Sequence, residues 1–295
     1  SDYPAALAAF DAAIARDGRY GAALAARART LGVMANIEAN PARAAARRRD
    51  AMATARRAIE IAPTMAEGHA ALGFLLLSQL EFEAARGPYQ KSFELGLGNA
   101  PILASYAEFS AYTGDFGHAD AAIERSVKLD PLNPAIFRSA GVVALLARRP
   151  EAARTAAQTA LSLNPRIRVA HHTLGDVALL AGDYAEARAQ FALEPDRLTQ
   201  LRGLAIADAK LRGPAAGDAQ MATLVREFGD GGLYQQVQVL AQWGQIEAAL
   251  AALDRAVAAR DSGLVLALKD PMLDPLREQP RFQAVLTGLG LTDKR

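Results

Sequence analysis

Four histidines, His69, His118, His171 and His172, are the side chains whose charge changes nearest neutral pH. With no cysteine in the sequence they are also its best transition-metal ligands. Chemistry of either kind needs several such groups converging on one place. His171 and His172 are neighbours, which on a helix points them about 100° apart, so one ion is not easily shared between them. His69 and His171 hold the same position in a repeating pattern, three residues before a Leu-Gly pair, and read as partly buried spacers; His118 lies in a turn. H-E-x-x-H, G-x-S-x-G and phosphate-cradling glycine motifs are missing. The expectation is a protein without catalytic residues, metal site or cofactor.

A second concentration of chemistry is cationic. Arg43, Arg47, Arg48, Arg49, Arg56 and Arg57 crowd one segment, opposed between Ala39 and Ile59 only by Asp50. Four-residue steps such as Arg43 to Arg47 stack them along a helix, which reads as a solvated face; a docking patch for an acidic protein or polyanion is the alternative. No aromatic side chains are interleaved, and no nucleic-acid motif is present. The whole chain has 33 Lys and Arg against 32 Asp and Glu, a formal charge of +1, so nothing draws it globally to nucleic acid or anionic lipid.

The elements that must hold these residues repeat. Ala51, Ala85, Ala119, Ala153 and Ala187 are each 34 positions apart, as are Gly73, Ala107, Gly141 and Gly175 in a second register. Such a period marks one supersecondary unit stacked on copies of itself. Hydrophobic residues make up 51% of the chain and aromatics only 6%, an Ala- and Leu-rich balance that suits close helix packing. Apolar runs such as Leu72 to Leu77 are far too short to span a bilayer, so no membrane insertion is expected.

One copy reads His69-x-x-Leu72-Gly73-x-x-Leu76, a turn, and Ala85-x-x-x-Tyr89; another reads His171-x-x-Leu174-Gly175, then Gly182-Asp183-Tyr184-x-x-Ala187-x-x-x-Phe191. Pro131 and Pro165 close second helices, where a proline removes a donor and disfavours helix in the residue before it. These columns resemble the tetratricopeptide repeat. That resemblance implies an all-α fold, a right-handed superhelical solenoid of antiparallel helix pairs, with about seven hairpins and a C-terminal capping helix.

Laid along the chain, the pattern predicts a single array over 1–295. A partial repeat at 1–20, where Tyr3 to Ala13 matches a second helix without its first, reads as a piece of something longer. A repeat with an insertion of roughly 11 residues covers 21–64, the insertion including Asn36 to Pro41. Regular repeats follow at 66–99, 100–133 and 134–167, degenerate ones at 168–196, 197–229 and 230–262, and a cap at 263–295. Arrays need such an atypical end to cover their last apolar face. Arg202 to Phe282, through its Asp270-Pro271-x-Leu273-Asp274-Pro275-Leu276-Arg277 stretch, resembles helical-repeat regions of bacterial adenylate cyclases and winged-helix transcription regulators. There the array often lies beyond a membrane span, which implies a periplasmic place for this segment within a signalling protein.

In this family the first-helix face beside the packing stripe lines a concave groove. Carried onto this sequence, the groove positions are Arg29, Glu67, Phe74, Glu108, Arg138, Val142, His172, Asp176, Arg202, Tyr234 and Gln238. Both charge signs mixed with isolated apolar groups suit an extended peptide or protein segment. The family's Lys and Asn clamp for a terminal carboxylate is absent, its columns being Ala70 and Phe74, Ala104 and Glu108, Arg138 and Val142. The expected role is a protein-binding scaffold or sensory module; self-association of the parent protein is the alternative.

Overall fold

Each regular 34-residue period folds into two helices joined by a three-residue turn. The computed structural model describes residues 2–38 and 40–291, the side chain of Pro41 excepted, and residues 292–295 of the expected cap lie outside them. Among the described residues there are sixteen α-helices and no strand. The chain divides into two compact units, Ser1–Tyr106 and Ala107–Arg295. No described helix is long and apolar enough to cross a membrane.

In the first unit, α1 (Tyr3–Arg16) precedes the hairpins α2 (Gly21–Asn36) with α3 (Pro41–Ile61) and α4 (Ala66–Ser78) with α5 (Phe82–Leu95), and α6 (Ala100–Tyr112) begins. The insertion adds helix instead of loop: α2 and α3 run 16 and 21 residues where α4 and α5 run 13 and 14. Ala28, Ala51, Ala55, Ala71 and Leu75 form the core between the two hairpins, all nearly inaccessible. Of the arginines of α3, Arg43, Arg49, Arg56 and Arg57 are exposed while Arg47 and Arg48 are half-buried; Arg43 and Arg47 meet Glu38, and Arg57 reaches the Gly18 carbonyl at 2.9 Å. Asp50 is claimed by Arg27 of α2 at 2.8 Å, not by the cluster.

The second unit takes in the end of α6, then α7 (Phe116–Leu129), α8 (Pro134–Leu146) with α9 (Pro150–Leu163), and α10 (Ala170–Leu180) with α11 (Tyr184–Leu193). It continues with α12 (Arg197–Arg212), α13 (Asp218–Phe228), α14 (Leu233–Gln242) with α15 (Ile246–Ala258), and α16 (Pro280–Gly288). Short 3-10 turns at Ser262–Leu266 and Pro271–Leu276 link the last hairpin to α16. First helices stack on first helices, α8 on α10, α10 on α12 and α12 on α14.

In five of the hairpins the turn has one chemistry. Glu81, Asp115, Arg149, Asp183 and Gln245 each donate their backbone N–H to a carbonyl five residues back, at 2.8–3.0 Å. The residue before each sits at positive φ: Leu80, Gly114, Arg148, Gly182 and Gly244. This is the C-terminal stop in which a left-handed residue lets the chain satisfy the last helical carbonyls. Arg148 accepts the strained position and donates from Nη1 and Nη2 to the two carboxylate oxygens of Asp274 in the cap.

The alanines of the period, Ala51, Ala85, Ala119, Ala153 and Ala187, are all fully inaccessible. The glycines of the second register are not equivalent. A methyl group on Gly175 would overlap three atoms of the Phe191 ring, and one on Gly73 would stand 2.8 Å from Tyr89 Cδ2. On Gly141 it would meet Thr173 Cγ2 at 3.5 Å, the Ala153 carbonyl oxygen at 3.6 Å and the Ala157 nitrogen at 3.7 Å, all ordinary van der Waals contacts. Gly175→Ala is therefore expected to cost about 1–3 kcal/mol of stability. Gly141→Ala is expected to add about 0.5–1 kcal/mol by restricting the unfolded chain. Denaturant midpoints of the two variants check this, and equal shifts of one sign would refute it.

Candidate functional site

Phe191 of α11 fills the space that side chains at Gly175 of α10 and Gly203 of α12 would need. The two first helices therefore approach closely on either side of that ring, and the residues flanking the glycines meet. Arg202 donates from Nη1 and Nη2 to the two carboxylate oxygens of Asp176 at 2.6 and 3.0 Å, and its guanidinium lies 5.7 Å from the Phe191 ring centre. Arg202 is 1% exposed and Asp176 2%. A bidentate pair of this kind matches the planar fork of arginine to the two carboxylate oxygens.

From there the polar contacts run into the cap. Arg202 Nε donates to Gln238 Oε1 of α14 at 3.0 Å, and Gln238 Nε2 donates to Asp270 Oδ2 at 2.6 Å. Tyr234 Oη donates to the same Asp270 oxygen at 2.6 Å, while Met272 N donates to Asp270 Oδ1 at 2.8 Å. Burial and the adjacent Asp270 carboxylate push the Tyr234 phenol well above its ordinary range, so it stays a donor. Arg277 braces the segment through the Asp270 carbonyl at 2.8 Å.

Above this network lies a pocket of about 240 Å3. Its apolar wall includes Tyr112, Val142, Leu145, Leu146, Leu266 and Pro271, and its polar side includes Glu108, Arg138, His172, Asp176, Arg202 and Asp270. Arg138 Nη2 donates to Glu108 Oε1 at 3.3 Å and to Ser139 Oγ at 3.2 Å, while its buried Nε has no partner. His172 Nε2 lies 3.3 Å from Asp176 Oδ2, and its buried Nδ1 has no partner.

His172 is oriented by an unusual helix start. Val169 precedes α10 at φ 77°, a strained conformation for a β-branched residue. No side chain of its own caps the helix; Glu194, from the end of α11, accepts the N–H groups of Val169 at 3.0 and 3.1 Å and of His172 at 3.0 Å.

Of the positions expected to form a groove, Glu108, Arg138, Val142, His172, Asp176, Arg202 and Gln238 all line this one pocket. Their accessibility differs from the expectation of an open face. Asp176, Arg202 and Gln238 are buried at its floor, and Tyr234 is fully inaccessible behind it. The physical reason is the cap, whose Leu266, Asp270 and Pro271 pack over the inner face of the first helices as well as against the last hairpin. In the first unit, Arg29 is exposed with its guanidinium 5.1 Å from the centre of the Phe74 ring, and Glu67 accepts a hydrogen bond from Asn99 Nδ2 at 2.9 Å. Asp270 and Glu194 were not among the sequence candidates. Asp270 opens the Asp-Pro stretch singled out there, and Glu194 precedes the proline that shortens α11, so each had a signal that pointed to a turn and not to a contact.

No protein-family model matches the chain. Over 140 residues, 47% of the chain, it is 27% identical to the type IV pilus assembly protein PilF of Pseudomonas aeruginosa, and the match spans 56% of that protein. A solved structure of Pseudomonas aeruginosa PilF superposes with a TM-score of 0.52 at 22% identity, covering 79% of this chain and 99% of that one. The Cut9–Hcn1 hetero-tetramer of the APC/C gives 0.64 at 15% identity, covering 98% of this chain and 53% of that one. A tetratricopeptide repeat protein from Parabacteroides merdae gives 0.56 at 15% identity, covering 78% and 93%. The fold is that of a tetratricopeptide-repeat array. In this array the periodic columns do the packing, and the pocket is made of the residues between them.

Two measurements probe the site's electrostatics. Removing one partner of the buried pair strands the other, so Asp176→Asn is expected to cost about 3–5 kcal/mol, while Asp176→Leu with Arg202→Met recovers most of it. The second concerns pH. Burial, reinforced by the Arg202 charge and opposed by Asp176, Glu194 and Asp270, holds His172 below the ordinary histidine range. Burial also opposes ionisation of Asp176, but Arg202 and His172 outweigh it and keep that carboxyl below its usual value. As pH falls below about 6.5, the unfolded chain takes up a proton at residue 172 that the folded chain refuses, so stability declines by up to about 1.4 kcal/mol per pH unit. Asp176 adds its own loss only at more acid pH, below the unfolded carboxyl value. Between pH 7 and 5, the stability lost by the natural chain should exceed that lost by His172→Gln, measured by urea unfolding; parallel profiles would refute the assignment.

Proposed function

We propose that this array is a protein-interaction module of a larger bacterial signalling or regulatory protein, without catalysis of its own, and that the pocket in Ala107–Arg295 seats part of another protein. What carries the reading is convergence: seven groove positions, taken from several first helices, border one cavity with an apolar wall and a polar side. Sites that recognise ligands commonly combine those two features. The pocket's carboxylates are already engaged, Asp176 by Arg202 and Asp270 by Tyr234 and Gln238, which favours recognition over proton transfer. PilF is by name an assembly protein and Cut9–Hcn1 a complex of subunits, and both support a role in holding proteins together. The adenylate cyclase and winged-helix resemblance of the Asp270–Arg277 stretch supports the signalling context.

The test is a photo-crosslinking residue placed at Val142, half-buried in the pocket wall, in the full-length parent protein in its own cell. A crosslink to a distinct polypeptide is expected from position 142 and not from exposed Arg226 on α13. A crosslink only to a second copy of the same protein would replace the reading with self-association, and no crosslink above the Arg226 control would remove it.

A further inference from the structure

We propose that the pocket takes a neutral carboxamide, the side chain of a glutamine or asparagine on the bound segment; this rests on the protein-binding reading above. The charges of the site are matched within it. Arg202 is engaged by both oxygens of Asp176, Arg138 faces Glu108, and Asp270 is satisfied by Tyr234, Gln238 and the Met272 N–H. An incoming carboxylate would lie beside Glu108 and Asp270, and an incoming ammonium beside Arg138 and Arg202; each like-charge approach in a buried setting is unfavourable.

Two buried atoms remain to be satisfied, Arg138 Nε and His172 Nδ1, on residues that line the same pocket. Arg138 Nε can only donate. The Asp176 carboxylate beside His172 Nε2 can only accept, so the ring proton sits on Nε2 and Nδ1 presents a lone pair. The occupant must therefore bring one acceptor and one donor without net charge. A carboxamide has both, its C=O for Arg138 Nε–H and its NH2 for His172 Nδ1. A buried polar group left without a partner costs about 1–3 kcal/mol, so supplying both is a source of selectivity. Tyr112, Val142, Leu145 and Leu146 provide the apolar wall for the methylene stem. The volume of about 240 Å3 is below the roughly 300–1,000 Å3 of drug-sized sites and suits a single side chain.

The probes are the N-acetyl, N′-methylamide derivatives of glutamine, glutamate, lysine and methionine, titrated into the full chain while the His172 ring nitrogens are followed by long-range 1H–15N correlation. His172→Phe identifies the resonance. The glutamine probe is expected to move Nδ1 saturably, with glutamate, lysine and methionine at least about tenfold weaker, the effect of one stranded polar group. Methionine carries the same main-chain amides, so it separates side-chain from backbone recognition. Arg138→Met, which keeps the stem and removes the donor, should weaken the glutamine probe about tenfold while leaving the thermal midpoint near that of the natural chain. Equal binding of the charged or methionine probes, an unmoved Nδ1, or full affinity in Arg138→Met would overturn the assignment. Selectivity for glutamine without a Val142 crosslink would keep the amide site and remove the protein partner; a crosslink without probe binding would do the reverse.

Discussion

The ring of Phe191 sets the geometry of the second unit. Two glycines, one before Asp176 and one after Arg202, leave room for it, and the first helices on either side draw close enough for those neighbours to form a bidentate pair. A β-carbon at either glycine would push a helix away from the ring, and a buried guanidinium displaced even slightly would lose the oxygens that justify its burial. The packing column and the polar floor of the pocket are thus one constraint. Dense interiors transmit such changes because they have few voids in which to absorb them.

The pair itself is a poor source of stability. Taking two charges out of water costs several kcal/mol per ion, and mutual attraction returns this only with good geometry and further hydrogen bonds. Here the further bonds exist, through Gln238 to Asp270 and from Tyr234 to the same oxygen. Their effect is to tie α10, α12 and α14 to a segment of irregular backbone that would otherwise have only short 3-10 turns and prolines to define it. A polar chain with directional requirements fixes the seat of that segment more narrowly than apolar contact does. Arg148 adds a second tie at the far side of the same cap, through Asp274.

The repeat was legible because packing columns are local and redundant. Five alanines at one spacing, and Gly73, Ala107, Gly141 and Gly175 in a second register, encode the hairpin many times over. The groove positions came from the family resemblance, and helical periodicity places Glu108, Arg138, Val142 and His172 on corresponding sides of successive first helices, where they line one pocket. What periodicity does not carry is the return of the cap. Contacts between Arg148 and Asp274 span 126 residues, and no repeated column signals them. Arg202, Tyr234 and Gln238 accordingly look like surface positions in the repeat pattern while the cap makes them interior. The insertion before Ile61 was visible as an offset, but whether extra residues become loop or helix depends on the Ala-rich run after Pro41, which extends α3 to 21 residues.

A pocket assembled in this way ties recognition to the packing of the hairpins. Arg138 belongs to α8 and His172 to α10, so a group satisfying both bridges adjacent first helices, while the Asp270 side of the pocket belongs to the cap. Such an occupant stabilises the arrangement that brings these elements together over any that parts them, by an amount set by its differential affinity for the two. The strained Val169 start of α10 lies at the same border and is held by Glu194 from the end of the same hairpin, where the chain passes on to α12. Binding on the first-helix side is thereby linked, through backbone hydrogen bonds, to the junction between consecutive hairpins. A binding module whose site is shared among repeats has in this linkage a route for occupancy to be felt along the unit without any chemical step.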